Sequence, residues 1–304
     1  MTRAYLALIF GVLCIGFSAI FVRWANAPGA VTGFYRMGIA VLILAFPFFR
    51  RMRTREGPDR WRKLPRREVM VALAGGIFFA GDLLFWNTGI LISGATNPTL
   101  MGNTAPLWVG LGALIFFREK LPVAFWLGLV LAMGGAALIL GLDVLQGFSL
   151  GLGTALGLVA GIFYGGYFLL TQRGRQKLDA LTYFWIAAAS ATILLLIGAA
   201  ILNQPLTGYS SFTYVNFFAM GLVVQVFGQF AFSYALGYLP ASVVAPAGLG
   251  QPVVTALLAG PLLGERVTLL QAMGGAAVLA GVYIVHRSRL QKGRRTEAAQ
   301  SAHM

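Results

Sequence analysis

Two short stretches of this sequence carry the same pattern 146 positions apart: "FFREKL" at residues 116–121 and "LLGERV" at residues 262–267. In each stretch a glutamate stands beside a cation directly after a long apolar run, and a proline precedes the glutamate by thirteen residues. The proline–glutamate pairs are Pro106 with Glu119 and Pro252 with Glu265. One signal repeated at a constant offset predicts that the chain is built from two related halves.

The same offset relates further residues on both sides of this signal. The matched pairs are Ala95 with Ala241, Lys120 with Arg266, Gly128 with Gly274, Gly135 with Gly281, Gly11 with Gly157, and Phe17 with Phe163. The two halves are therefore expected to share one fold.

The composition is that of a membrane protein. Hydrophobic residues make up 58% of the 304 residues, charged residues make up 11%, and the mean hydropathy is +0.79. Soluble domains contain about 25% charged residues. Apolar runs of nearly 20 residues recur along the chain, which is the length that crosses a hydrocarbon core of about 30 Å. We expect a polytopic protein in a lipid bilayer.

The apolar runs predict an all-α membrane protein with ten transmembrane helices, arranged as two inverted five-helix repeats. The predicted spans, numbered 1 to 10 in chain order, cover residues 4–23, 30–49, 69–90, 97–117, 122–141, 149–170, 180–202, 213–236, 241–262 and 268–286. The first repeat occupies residues 1–146, the second occupies 147–286, and a basic, disordered tail follows at 287–304. Because five is an odd number, the second repeat enters the membrane in the opposite orientation.

The positive charges predict the orientation of the spans. With the N-terminus in the cytoplasm, 20 of the 23 Lys and Arg residues fall inside and two, Arg23 and Arg266, fall outside. Both termini are therefore predicted to be cytoplasmic. The basic loop at residues 50–68 is expected to contact anionic lipid headgroups, and no nucleic acid is expected as a partner.

The duplicated Pro-x12-Glu-[Lys/Arg] run, followed by a Gly-x6-Gly span, resembles the drug/metabolite transporter superfamily of the EamA type. The first span, "LIFGVLCIGFSAIFVRW" at residues 8–24, and the pair Tyr35-Arg36 resemble it as well. Within that family the sequence is most similar to aromatic amino-acid exporters. The resemblance implies a ten-helix export carrier in a bacterial inner membrane.

The repeat itself also favours transport, because secondary transporters are commonly built from inverted repeats that expose a central site to each side in turn. Duplication that serves only packing is the alternative. No phosphate-binding Gly-x4-Gly-Lys-[Ser/Thr] run and no mid-span histidine exist, so neither an ATP-driven pump nor an intramembrane enzyme is predicted. We expect no cofactor, no metal and a monomer. A broad drug exporter or a lipid flippase remains an alternative function.

The candidate site lies in spans 3 and 4 and in their repeat mates, spans 8 and 9, where polar and helix-breaking residues concentrate. Buried amides in hydrocarbon need hydrogen-bond partners, which either a water-filled cavity or a neighbouring helix supplies. The predicted substrate-binding residues are Phe79, Trp86, Asn103, Tyr164, Gln225, Gln229, Phe232 and Gln251. Prolines 98, 106, 246 and 252 interrupt the helices there, either as static kinks or to free carbonyls for substrate.

Arg36 and Asp82 are the obvious mid-span charges, and they are predicted at similar depth. A charge at the bilayer centre costs about 3 kcal/mol unless it is compensated. An intramembrane charge pair of Arg36 with Asp82 is the favoured reading, with proton coupling by Asp82 and substrate contact as alternatives. An aromatic, amide-rich cavity with few charges predicts a neutral or zwitterionic metabolite, such as an aromatic or hydrophobic amino acid.

Overall fold

The computed structural model describes residues 1–54, 64–93, 96–140, 151–263 and 268–301. Within these ranges ten helical segments are long and apolar enough to cross a membrane, as the sequence predicts. Several predicted features lie outside the described residues. These are Glu265 and Arg266 of the second signal, Ala95, the boundary between the repeats at 146–147, and residues 55–63 of the basic loop.

Five of the spans are single helices of regular length. They are span 2 (Gly29–Thr54), span 3 (Arg66–Ser93), span 5 (Val123–Leu140), span 6 (Leu152–Gly174) and span 7 (Ala180–Ile201). Span 10 belongs to a longer helix, Leu269–Ser301, which continues through residues predicted as a disordered tail. The helical continuation agrees with the composition of "RLQKGRRTEAAQ" at residues 289–300, which is rich in the good helix formers Arg, Gln, Lys, Glu and Ala.

The other four spans are interrupted. Span 1 consists of Thr2–Gly16 and Ser18–Ala25, span 4 of Thr96–Gly102 and Ala105–Phe116, and span 9 of Ala241–Gly248 and Gly250–Leu263. Span 8 runs from Ser211–Ala219 through a π-helix, Met220–Gln229, to Phe230–Ala235. Pro106 and Pro252 stand in the first turns of the second segments of spans 4 and 9, where a helix needs no backbone donor.

The breaks in spans 4 and 9 are separated by the offset of the predicted repeat. Leu249, which separates the two segments of span 9, follows Asn103 of the span 4 break by 146 positions. The predicted interruption of both helices is confirmed. The π-helix of span 8 has no such counterpart, since span 3 is α-helical throughout.

Glycines allow the helices around span 6 to approach closely. A Cβ on Gly157 would lie 2.5 Å from the Cα of Pro98, and one on Gly161 would lie 2.8 Å from the carbonyl oxygen of Met101. Small residues at this spacing let two helix backbones come into contact. The glycine-rich face of span 6 is therefore a packing surface, as expected, and it fixes span 4 next to the centre of the bundle.

Spans 5 and 10 pack against each other through the glycines that the repeat matches. A Cβ on Gly135 would lie 2.5 Å from the carbonyl oxygen of Gly274, and a Cβ on Gly128 would lie 2.8 Å from that of Gly281. The two Gly-x6-Gly runs thus cross-pair, with the early glycine of one run facing the late glycine of the other. This contact joins the end of the first half to the end of the second.

We expect Gly135→Ala to destabilise the protein by about 1–3 kcal/mol, because the new methyl group would overpack against the Gly274 backbone. Gly134→Ala is the matched control, since a Cβ there meets nothing within 4 Å and replacing glycine in a helix favours folding by about 1 kcal/mol. Thermal unfolding of both variants in detergent provides the measurement. Equal unfolding temperatures for the two would contradict the proposed contact.

Candidate functional site

A polar cavity lies near the middle of the bundle, between spans 1, 2, 3, 4, 6, 8 and 9. It has two chambers, of about 100 Å³ and about 40 Å³, which share four lining residues and therefore adjoin. The shared residues are Gly102, Asn103, Tyr164 and Gln251. Two of these come from the break in span 4, so the interruption of that helix places polar groups at the junction of the chambers.

The structure brings most of the predicted site residues to this cavity. Six of them line the larger chamber: Phe79, Trp86, Asn103, Tyr164, Gln229 and Gln251. Phe232 lines the smaller chamber, and Gln225 lines neither. Arg36 and Asp82 line the larger chamber as well.

Other lining residues were not predicted. They are Ile15, Ser18, Leu83, Thr99 and Gly102 in the larger chamber and Ala105, Pro106, Phe168, Ala245, Gly248 and Leu249 in the smaller one. Two carry a signal in the sequence, because Thr99 shares a helical face with Asn103 and Ser18 is a polar residue within an apolar span. The apolar residues carry none, since their types are the same as those of any packed core.

The π-helix of span 8 positions two glutamines side by side. In a π-helix about 4.4 residues complete a turn, so residues four apart lie nearly above one another. Gln229 Nε2 donates to the Tyr164 hydroxyl at 3.0 Å, while Gln229 Oε1 is buried and has no partner among the described residues. Gln225 is fully buried, and its Oε1 accepts from Arg36 Nη2 at 2.7 Å. Gln225 does not line the cavity, but its hydrogen bond holds the Arg36 guanidinium in place.

Arg36 and Asp82, the predicted charge pair, line the same chamber. The two charges attract each other electrostatically but make no direct contact, so the pair stays a prediction. No nitrogen of Arg36 lies within 4.0 Å of a carboxylate oxygen of Asp82. The guanidinium instead donates to Gln225, and its Nε has no partner in the described part of the chain. The reason is that spans 2 and 3 present these side chains at similar depth, but an amide on span 8 lies closer to Arg36 than Asp82 does.

The aromatic residues of the site differ in how freely they face the cavity. Phe79 is 2% exposed, and its ring stacks on Tyr167 with the centroids 4.5 Å apart. Phe232 is equally buried and contacts Phe168. Trp86 is only half-buried, and its Nε1 donates to Thr99 Oγ1 at 3.2 Å. Trp86 therefore keeps part of its surface available to a bound molecule, as does Tyr164, which is also half-buried.

One end of the bundle is closed by polar contacts on the face that carries both chain termini. Glu119 Oε2 accepts from Ser242 Oγ at 2.8 Å and forms an ion pair with Arg289 Nη2 at 2.7 Å. The loop after span 4 is thereby joined to the starting residues of span 9 and to span 10. The first copy of the duplicated signal thus has a structural role at this end.

Span 6 contributes two further contacts at the same end. Gln172 Oε1 accepts from the backbone N–H of Ala241 at 2.6 Å, which satisfies a free donor at the start of span 9. Arg175 Nε donates to the Ser233 carbonyl oxygen at 2.8 Å, and its Nη1 donates to the Leu178 carbonyl oxygen at 2.5 Å. Burial lowers the pKa of the Arg175 guanidinium from its usual value. These hydrogen bonds thus join spans 6, 8 and 9 at the same end of the bundle as Glu119.

The EamA-like transporter family matches this chain twice, over residues 2–141 and residues 151–287. The chain belongs to the EamA-like transporter family. Among its relatives, an uncharacterized transporter of Archaeoglobus fulgidus is 27% identical over 257 residues, which cover 83% of this chain and 85% of the relative. A probable terminal-alkyne amino-acid exporter of Streptantibioticus cattleyicolor is 27% identical over 288 residues, which cover 91% and 94%.

A solved crystal structure has the same fold as this EamA-like transporter. The two superpose with a TM-score of 0.77 at 15% sequence identity, over 93% of this chain and 96% of the other. Among the described residues, no group of His, Cys, Asp and Glu is arranged to hold a metal ion. The chemistry of the cavity therefore consists of amides, hydroxyls, aromatic rings and two charges.

We expect Glu119→Ala to loosen the closed end of the bundle, because Ser242 and Arg289 both lose their acceptor. An Ala245→Cys sensor in the smaller chamber, in a Cys14→Ser background, would report the change through its rate of reaction with a water-soluble thiol reagent. The rate should rise several-fold with Glu119→Ala.

Arg66→Ala is the matched control, since it removes an exposed charge at the start of span 3 that takes no part in the Glu119 contacts. A thiol that reacts equally fast with and without Glu119 would show that Glu119 does not hold this end closed.

Proposed function

We propose that this EamA-like transporter is a secondary carrier that exports small zwitterionic metabolites, above all amino acids, by alternating access. The observation that carries the proposal is the polar cavity in mid-membrane, assembled at the breaks of spans 4 and 9 and at the π-helix of span 8. Secondary transporters place their substrate sites at such discontinuous helices. The name of the Streptantibioticus relative, an amino-acid exporter, is consistent with this substrate class.

The proposed architecture is a pair of inverted repeats with both termini in the cytoplasm of a bacterial cell. The double family match supports the repeat, because each matched region contains five of the ten spans. The excess of Lys and Arg on the face of the termini supports the orientation. In this arrangement the contacts of Glu119 close the cytoplasmic side.

A soluble metabolite fits the cavity better than a lipid does. The apolar groove on the outer surface between spans 1, 9 and 10 has a volume of about 420 Å³ and shares no lining residue with either described chamber. A lipid flippase needs a lateral path for a headgroup between such a groove and the polar site. The chambers that the structure describes are lined mainly by residues of the bundle interior.

Transport by the purified protein in liposomes tests the proposal. Uptake of radiolabelled amino acids into liposomes that contain the protein should exceed uptake into empty liposomes. The labelled amino acid inside should then exchange with unlabelled amino acid added outside. The panel is measured with and without a pH gradient, so that coupling to protons is detected separately. The absence of transport for every amino acid of the panel would refute the proposed substrate class.

An aromatic side chain is the finer part of the proposal, with Trp86 as the ring that contacts it. Edge-to-face or stacked ring pairs contribute about 0.5–1.5 kcal/mol beyond burial, which corresponds to about 2- to 13-fold in affinity. Trp86→Leu should therefore weaken transport of phenylalanine by about that factor and leave transport of alanine nearly unchanged. Phe79 is less suitable for this test because its ring supports the core.

Trp108→Leu is the matched control for Trp86→Leu. Trp108 lines a second apolar groove, between spans 3, 4 and 6, and does not line the polar cavity. Kinetics of phenylalanine and alanine uptake in both variants decide the question. Equal losses for the two amino acids in Trp86→Leu would mean that this ring only supports the helices.

A further inference from the structure

The cavity contains one positive and one negative side chain that do not neutralise each other by contact. Arg36 is 5% exposed and donates to Gln225, which is a neutral acceptor. Asp82 lines the same chamber and has no hydrogen bond or ion pair to another described residue. Two opposite charges therefore face one chamber without touching each other, which leaves both charged groups open to a bound molecule.

Three buried polar atoms of this site lack hydrogen-bond partners among the described residues. Arg36 Nε and Asn103 Nδ2 are buried donors without an acceptor among the described residues, and Gln229 Oε1 is a buried acceptor without a donor there. Buried polar groups are almost always hydrogen-bonded. The unpaired donors suit an anionic group and the unpaired acceptor suits a cationic group, so the chamber matches a molecule that carries both.

We propose that Arg36 and Asp82 bind the two ends of an amino-acid backbone: the guanidinium of Arg36 holds the α-carboxylate and the carboxylate of Asp82 holds the α-ammonium. Asn103 Nδ2 donates a further hydrogen bond to the carboxylate, and Gln229 Oε1 accepts one from the ammonium. Gln225 is a positioning residue, since it orients the guanidinium but does not line the chamber. This inference rests on the proposed function and deepens it.

Charge balance explains why a zwitterion is selected. A ligand with only a carboxylate would pair with Arg36 and leave Asp82 as an uncompensated negative charge beside a second one. A ligand with only an ammonium would do the same to Arg36. Only a ligand with both groups leaves every buried charge paired, and an unpaired charge in a membrane interior is strongly unfavourable.

Binding of analogues to purified protein in detergent tests the inference. The probes are L-phenylalanine and L-alanine, their analogues without the ammonium group (3-phenylpropionate and propionate), and those without the carboxylate (2-phenylethylamine and ethylamine). Calorimetric titration should give wild-type affinities at least about tenfold lower for either analogue than for the amino acid, because each loses a charged hydrogen bond.

In each of two variants, the affinity for the amino acid should fall while the affinity for one of the analogues is retained. Asp82→Asn should lose at least about tenfold in affinity for the amino acid, yet bind 3-phenylpropionate as well as or better than wild type does. Arg36→Gln should lose the amino acid and retain 2-phenylethylamine, whereas Arg36→Lys should recover part of the amino-acid affinity. A merely structural role would weaken all probes together. Arg66→Gln, which removes an exposed charge outside the cavity, is the control and should match wild type.

The outcomes separate this inference from the proposed function. If wild-type protein transports amino acids but binds the one-charge analogues equally well, or if Asp82→Asn binds amino acids normally, the inference is wrong and the function stands. If wild-type protein neither binds nor transports any amino acid, both are wrong. The wild-type analogue series decides the matter even where a variant does not fold.

Discussion

Every backbone amide and carbonyl inside a membrane must be hydrogen-bonded, and this constraint decides where the protein can hold a polar cavity. A helix can stop in hydrocarbon only where other groups satisfy the freed backbone. The break in span 1 meets the condition through Thr255, whose Oγ1 donates to the Gly16 carbonyl oxygen at 2.7 Å. The break in span 4 meets it through Thr104, whose Oγ1 donates to the Met101 carbonyl oxygen at 2.6 Å. The breaks and the cavity lie at the same place because the freed backbone groups of a broken helix need polar partners, and a polar cavity needs polar groups to line it.

The spans divide into those that form the cavity and those that support it. Spans 5 and 10 do not contribute to the described lining and pack backbone to backbone through their glycines. Glu119 precedes span 5, and it contacts both Arg289, which ends the membrane-crossing part of span 10, and Ser242 at the start of span 9. The duplicated signal of the sequence therefore lies where the supporting pair is joined to a broken span. Its second copy lies outside the described residues.

Much of the fold and part of the site follow from the sequence. The spans follow because apolar length is nearly sufficient to specify a membrane helix, and the breaks in spans 4 and 9 follow from their prolines. The polar lining follows because an amide in hydrocarbon needs a partner, which limits Asn103, Gln229 and Gln251 to few positions. These inferences depend only on local composition and helical spacing.

Other features depend on how helices face one another, which one sequence does not specify. Arg36 and Asp82 are predicted at similar depth, but depth alone does not tell which side chain is nearest, and in the structure Arg36 donates a hydrogen bond to Gln225. The π-helix could not be predicted from the sequence either, since "MGLVVQVFGQ" has no residue that excludes an ordinary α-helix. The apolar lining residues cannot be distinguished from core residues by type.

The balance of charges in the cavity links its structure to the energetics of export. Arg36 and Asp82 together contribute no net charge, so a ligand that pairs with both must itself be neutral overall. The membrane potential does no net work on such a ligand, whereas a singly charged one gains or loses about 2.3 kcal/mol per 100 mV. Under the proposed function, export of an amino acid down its concentration gradient therefore needs no coupling ion. Asp82 is the acidic residue among those that line the described chambers. In the proposed binding mode its protonation would remove the partner of the ammonium group, so proton coupling through Asp82 would weaken substrate binding in the same step.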